Sequence, residues 1–180
     1  VFDVGVSFVF PHIIRDPLLS HPSLGIINLH PAPLPAYRGC GGYNMAILEG
    51  LDEWAVTAHY IDSGIDTGPV IEKECFAIDP DHETVGSLLK TSHSMMLRMY
   101  KRVMGRVMEH GRLEATPVTG GRYVSREEME SMKRIVEGDD EARKSRAFWF
   151  PPHSGAWKEV DGVRQEVPFE RTLDEPPSAS

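Results

Sequence analysis

Asn28 and His30 stand two residues apart in the apolar run of Ile26, Ile27 and Leu29, and on a strand that spacing puts a carboxamide and an imidazole on one face. The run stops in a loop stiffened by Pro31, Pro33 and Pro35 and closed by Arg38-Gly39, so a concavity is shaped before any ligand arrives. Asp66, in the Gly-rich stretch from Asp62 to Gly68, is the third candidate. A carboxylate beside His30 would orient the ring and raise its basicity, and a nearby amide N–H would stabilise an oxyanion; acyl transfer needs both. The residue types leave a second reading open. Asn and His near a strand end serve equally as satisfied polar groups, and an Asp in a Gly-rich loop serves as a turn former, a role that suits Asp62 better than Asp66.

The remaining chemistry-bearing residues point elsewhere. His12, His30, His59 and Cys40 follow neither HxxxH nor CxxC spacing, so no metal is expected. Cys40 and Cys75 are too few and too far apart for a disulfide framework, which suits a reducing, cytoplasmic setting. The cluster Met95, Met96, Met99, Met104 and Met108 reads as packing. The chain carries a formal net charge of −8, with 9 basic and 14 acidic side chains in residues 1–118 and 10 and 13 in residues 119–180. Neither part has the cationic field that attracts nucleic acid or an anionic membrane. No run approaches the roughly 18–20 apolar residues of a membrane span, and the first residues lack a signal-peptide layout.

Elements must hold these residues. Residues 3–10 read as a buried strand, residues 13–19 as a brief helical face, and residues 25–30 as a second strand, which together make a βαβ step and a parallel sheet. Val1 lies at the edge of that first strand, so a further part of the sheet is expected upstream. A short helix at 44–49 follows the loop, then strands at 54–61 and 70–78 flank the Asp62–Gly68 stretch. A long helix is expected from Asp79-Pro80 to Gly111, with a stripe of Val85, Leu88, Leu89, Met96, Met99, Val103 and Val107. Beyond Thr119 charges rise. Helices are expected at 125–136, with Ser125 and Glu128 as a capping box, and at 138–147. Aromatic residues around Trp149 then dock the tail on the core, a hairpin turns at Asp161-Gly162, and the final PPSAS is disordered.

Taken together, NLHPAPLPAYRG followed by GIDTG resembles the folate-dependent formyltransferases, the family of glycinamide ribonucleotide, methionyl-tRNA and nucleotide-sugar formyltransferases. Its pattern is an N-x-H strand end, a proline-bearing loop ending in Arg/Lys-Gly, and a D-x-G loop aspartate at the separation found here. The likeness covers residues 1–111. It implies an α/β, Rossmann-like formyltransferase fold with a mostly parallel sheet, whose N-terminal half precedes this chain. Residues 1–118 would be the C-terminal part of the catalytic domain, and residues 119–180 a small α+β extension with a hairpin.

The resemblance also implies roles. Asn28, His30 and Asp66 match the catalytic trio; Asn28 would bind the oxyanion, His30 would take the amine proton or share in stabilising the oxyanion, and Asp66 would hold His30. Leu34, Pro35, Asp62, Ser63, Gly64, Ile65 and Gly68 would surround the pteridine of 10-formyltetrahydrofolate, the cosubstrate, and Arg38, Gly39 and Tyr43 would meet the acceptor. The acceptor is expected to be an amino sugar carried by a nucleotide. The YRGCGGY run and the hairpin look like those of nucleotide-sugar N-formyltransferases, in which such hairpins often build homodimers, and the acidic C-terminal segment does not suit tRNA. The alternatives are a methionyl-tRNA or other small-amine formyltransferase, a formyltetrahydrofolate hydrolase, and a non-catalytic folate-binding module.

Overall fold

A computed structural model describes residues 2–169. Its central sheet has four strands in the order β1 (Gly5–Phe8), β2 (Ile26–His30), β4 (Glu53–Tyr60) and β5 (Val70–Ala77). Between β2 and β4 lie a short strand, β3 (Tyr37–Gly39), and a helix, α1 (Gly42–Leu48). The fold class is α/β as expected, but the sheet of the described residues is mixed instead of mostly parallel. β1 and β2 run parallel, whereas β4 is antiparallel to β2 and β5 to β4. The reason is local: β3 and α1 fold at the carboxyl end of β2, so β4 (from Glu53) comes back past His30, pairing Thr57 with it, and runs on to place Tyr60 opposite Ile27.

Helix α2 (Val85–His110) covers one face of this sheet. Ile27, Leu29, Val56, Ala58 and Tyr60 pack there against Met95, Met96, Met99, Val103 and Val107. The helix begins later than the proline signal suggests, because Thr84 caps it: the Thr84 side chain accepts from the Ser87 N–H and the Ser87 hydroxyl accepts from the Thr84 N–H. The segment between β1 and β2 holds turns and no helix. Pro11, Pro17 and Pro22 each remove a backbone donor, and Ile13 and Leu18 are exposed instead of forming a buried helical stripe.

The C-terminal segment is folded onto this frame. β6 (Arg122–Val124) pairs in parallel with β3, aligning Tyr123 with Arg38 and Val124 with Gly39. Two helices follow, α3 (Arg126–Ser131) and α4 (Glu141–Ala147), both shorter than their expected spans. Ser125 caps α3, but Glu128 turns to Arg122 instead of back to the cap, so the reciprocal box does not form. Ala147, Phe148 and Ala156 join a second core with Trp54, Ala46 and Ile47, so this stretch docks on the body through buried apolar contact. The hairpin pairs β7 (Trp157–Val160) with β8 (Val163–Glu166), and Asp161 and Gly162 both take positive φ, as a tight two-residue turn requires. Expected disorder in PPSAS falls outside the described residues. Among those residues, no helix is long and apolar enough to cross a membrane.

Candidate active site

The alternation of β2 sorts its side chains. Ile27 and Leu29 face α2, and Asn28 and His30 face the other way. Strand register then builds a polar row across three strands, with Ser7 of β1 beside Asn28 and His59 of β4 on its other flank. The loop of residues 62–68 folds over this face and brings Asp66 to it. All four residues line one cleft of about 380 Å³, together with His30.

Hydrogen bonds fix the rings. His59 Nδ1 lies 2.8 Å from the Tyr60 carbonyl, which only accepts, so Nδ1 carries the proton. In the neutral ring Nε2 is then an acceptor, and Asn28 Nδ2 donates to it at 3.1 Å. One N–H of Asn28 is thereby committed to His59 and the other remains for the cleft. His30 Nε2 donates to the Tyr37 carbonyl at 2.9 Å, which leaves Nδ1 as the basic atom of the neutral ring.

Asp66 sits between the two imidazoles. Its Oδ1 is 3.7 Å from His30 Nδ1 and 3.7 Å from His59 Nε2, an electrostatic contact too long for a hydrogen bond. Asp66 is thus brought to His30 as an ion-pair neighbour: the Tyr37 carbonyl hydrogen-bonds the ring at Nε2, and the carboxylate acts on it through charge. Asp66 is itself anchored by Gly39, whose N–H donates to Oδ2 at 2.9 Å. Gly39 has φ +84, and a Cβ there would lie 2.4 Å from the Val124 carbonyl oxygen, so only glycine fits. Burial lowers the His30 pKa below its usual 6.5, against the raising effects of Asp66 and the Tyr37 carbonyl, with His59 adding to the decrease. For Asp66, burial pushes upward, but His59, His30 and the Gly39 N–H outweigh it and hold the carboxyl below its usual range.

The proline loop is tied down from β4. Thr57 Oγ1 donates to the Ala32 carbonyl at 2.8 Å and accepts from the Leu34 N–H at 3.2 Å, while Trp54 Nε1 donates to the Pro31 carbonyl at 2.9 Å. Asp62, Gly64 and Ile65 line the cleft, as does Gly39. Leu34, Pro35, Ser63 and Gly68 do not. Leu34 is 3 % exposed and belongs to the loop's buried underside, and Gly68 is a point of close approach, where a Cβ would meet the Tyr60 carbonyl. Arg38 and Tyr43 line a smaller adjacent cavity of about 160 Å³ that shares His30, Pro31, Gly39 and Cys40 with the cleft.

Several cleft residues escape sequence reasoning: Ser7, His59, the wall of residues 9–14, and Tyr123 and Arg126 from the C-terminal segment. For His59 a signal existed, since the two-residue period of 54–61 puts it on one face with Thr57; its pairing with Asn28 depends on register. Asn28, His30 and Asp66 thus converge as an N–H donor, a basic nitrogen and a carboxylate.

The model of the formyl transferase family matches residues 2–104. The chain belongs to the formyl transferase family. Within that family it is similar to the methionyl-tRNA formyltransferase of Paramagnetospirillum magneticum, 32 % identical over 172 residues, covering 92 % of this chain and 54 % of that protein. The chain thus spans about half the length of that curated relative. In fold, this formyl transferase chain resembles a sugar N-formyltransferase from Shewanella, with TM-score 0.81 and 16 % identity over 96 % of this chain and 71 % of that one. It also resembles the N-formyltransferase of Helicobacter canadensis crystallised with folinic acid and dTDP-3-aminofucose, with TM-score 0.71 and 23 % identity over 87 % of this chain and 58 % of that one.

Proposed function

We propose that this chain carries the reaction centre of an enzyme that moves a formyl group from 10-formyltetrahydrofolate to a primary amine, the amine being that of a nucleotide-linked amino sugar. The observation that carries the proposal is the convergence of Asn28, His30 and Asp66 in one cleft. The apolar lining fits the donor: Val9, Phe10, Ile13, Ile14, Ile61 and Ile65 suit a flat pteridine. The acceptor would come from the side of Gly39, with Arg38 and Tyr43 in the adjoining cavity. In this division of labour residues 1–118 supply the donor site and the reacting groups, and residues 119–180 close one wall through Tyr123 and Arg126.

The amine nitrogen attacks the formyl carbon, a C–N bond forms, and the carbonyl π pair moves onto oxygen. The free N–H of Asn28 stabilises that oxyanion. His30 Nδ1 takes a proton from the attacking nitrogen, and the imidazolium is favoured by Asp66, 3.7 Å away. When the oxygen pair returns, the bond to N10 breaks, the proton passes to N10, and the products are the formamide and tetrahydrofolate.

A sugar acceptor is supported by the fold likeness to sugar N-formyltransferases and by the acidic balance of residues 119–180. Methionyl-tRNA is the second reading, favoured by the sequence likeness over 92 % of the chain. Incubating the full-length protein with 10-formyltetrahydrofolate and a panel of dTDP- and UDP-amino sugars tests the choice. Formylation of a sugar nucleotide is expected; formylation of methionyl-tRNA with no sugar turned over would overturn it.

A further inference from the structure

Ser7 is 7 % exposed, and its place is set by two independent constraints. Register in the parallel β1/β2 pair puts it directly beside Asn28, and it lines the cleft that holds the trio. Its strand neighbours Val6 and Phe8 point to the opposite face, where Phe8 meets His93 of α2, so alternation turns Ser7 toward the cleft. The other polar side chains of this face each have a protein partner: Asn28 has His59, His30 has Tyr37, Thr57 has Ala32 and Leu34, and His59 has Tyr60. Among the described residues the Ser7 hydroxyl makes no hydrogen bond, and it is not among the sealed, unpartnered polar atoms of the interior; it opens onto the cleft, where a bound molecule can meet it.

Asn28 shows where that ligand atom lies. Its carboxamide is planar, and one N–H is held by His59 on the β4 side. The second N–H diverges from that bond, away from the His59 nitrogen, and β1 with Ser7 lies across Asn28 from β4. We propose that Ser7 is a further catalytic residue, whose hydroxyl donates a hydrogen bond to the formyl oxygen alongside Asn28. This inference rests on the formyl-transfer reading above. The hydroxyl forms and breaks no covalent bond; it strengthens its hydrogen bond as the carbonyl oxygen gains charge, and the proton stays on Ser7 throughout. Two donors on one oxygen are the usual minimum of an oxyanion hole, and Asn28 alone offers only one free N–H.

The test uses the full-length protein with Ser7→Ala and Ser7→Thr. The alanine variant is expected to lose about 10²-fold in kcat with both KM values little changed, as for removal of one oxyanion donor, while the threonine variant keeps its hydroxyl and most of the rate. A readout free of turnover accompanies this: the formyl carbonyl stretch of the bound 5,8-dideaza analogue of 10-formyltetrahydrofolate, carbon-13 labelled and followed by difference infrared spectroscopy. The band is expected to move to higher frequency in Ser7→Ala and to stay in Ser7→Thr. An unchanged band or an unchanged kcat in Ser7→Ala overturns the role of Ser7 and leaves formyl transfer standing. If the analogue does not bind the wild-type protein at all, the formyl-donor reading fails, and Ser7 with it.

Discussion

The two faces of β2 and β4 are made by the same few residues and do opposite work. On the α2 side, Ile27, Leu29, Val56, Ala58 and Tyr60 close on methionine and valine side chains, with no charged group among them. On the other side His30, Thr57 and His59 are buried as well and Asn28 is half-buried, yet every one is polar and hydrogen-bonded. Burial on the first face stabilises through the apolar area removed from water; on the second it lowers the dielectric around groups whose charges matter. Single-residue alternation thus separates the apolar face that holds the sheet together from the polar face that lines the cleft.

Substitution on each face should break one property and spare the other. The largest effect is expected on the polar face: His30→Ala should reduce formyl transfer by about 10²–10⁴-fold and Asn28→Ala by about 10²–10³-fold, with thermal midpoints close to wild type. Steady-state rates and melting curves measured together decide it; a large fall in stability without loss of rate would reverse the assignment. On the α2 face, Leu29→Ala should cost about 2–5 kcal/mol of unfolding free energy, because Leu29 is 2 % exposed and leaves a cavity. Denaturant titration measures this, and kcat per folded molecule should hold.

How far the sequence anticipates this arrangement depends on the range of the interaction. Alternation within residues 26–30, the proline loop and the Gly-rich stretch are local patterns, and they lead to Asn28, His30 and Asp66 without any coordinates. The Ser7–Asn28–His59 row is not local: it exists only once β1, β2 and β4 pair in one register, and strand pairing leaves no mark in any single segment. The antiparallel return of β4 was hidden for the same reason, since its direction follows from where β3 and α1 fold. Helix starts misled where two signals competed. Asp79-Pro80 is a plausible helix opening, but Thr84 and Ser87 satisfy the first-turn donors of the helix that forms. Tyr123 and Arg126 reach the cleft through the β3/β6 pairing, and a charged, weakly periodic segment gives no hint of that contact.

Thr57 tests whether every polar group on the second face serves chemistry. It is fully buried, and its hydroxyl joins the Ala32 carbonyl to the Leu34 N–H, so its role is to clamp the proline loop. Thr57→Val preserves shape and strand propensity but orphans both backbone groups. A loss of about 1–3 kcal/mol is expected, with a smaller fall in rate than either catalytic substitution gives. A rate loss as large as that of His30→Ala at unchanged stability would place Thr57 among the reacting groups instead.

The smallest effect is a displacement along the pH axis, and its sign separates charge from orientation in the role of Asp66. Burial holds the His30 pKa below 6.5, so the ring is neutral above that pH in both the folded and unfolded chain. As pH falls below 6.5 the unfolded chain binds the proton first, so the His30 contribution to stability is full above 6.5 and declines as pH drops through the folded value. Asp66 has a lowered folded value and follows at lower pH: its contribution is present above 3.8 and is lost as the carboxyl takes up its proton. In the proposed mechanism the base form of His30 is the active one, so the acid limb of kcat/KM for the free enzyme should lie below 6.5. Asp66 raises the His30 pKa, so Asp66→Asn should move that limb to still lower pH while lowering the plateau, since the imidazolium loses its counter-charge. A limb that stays in place in Asp66→Asn, with only the plateau reduced, would make Asp66 an anchor for Gly39 and not an electrostatic partner of His30.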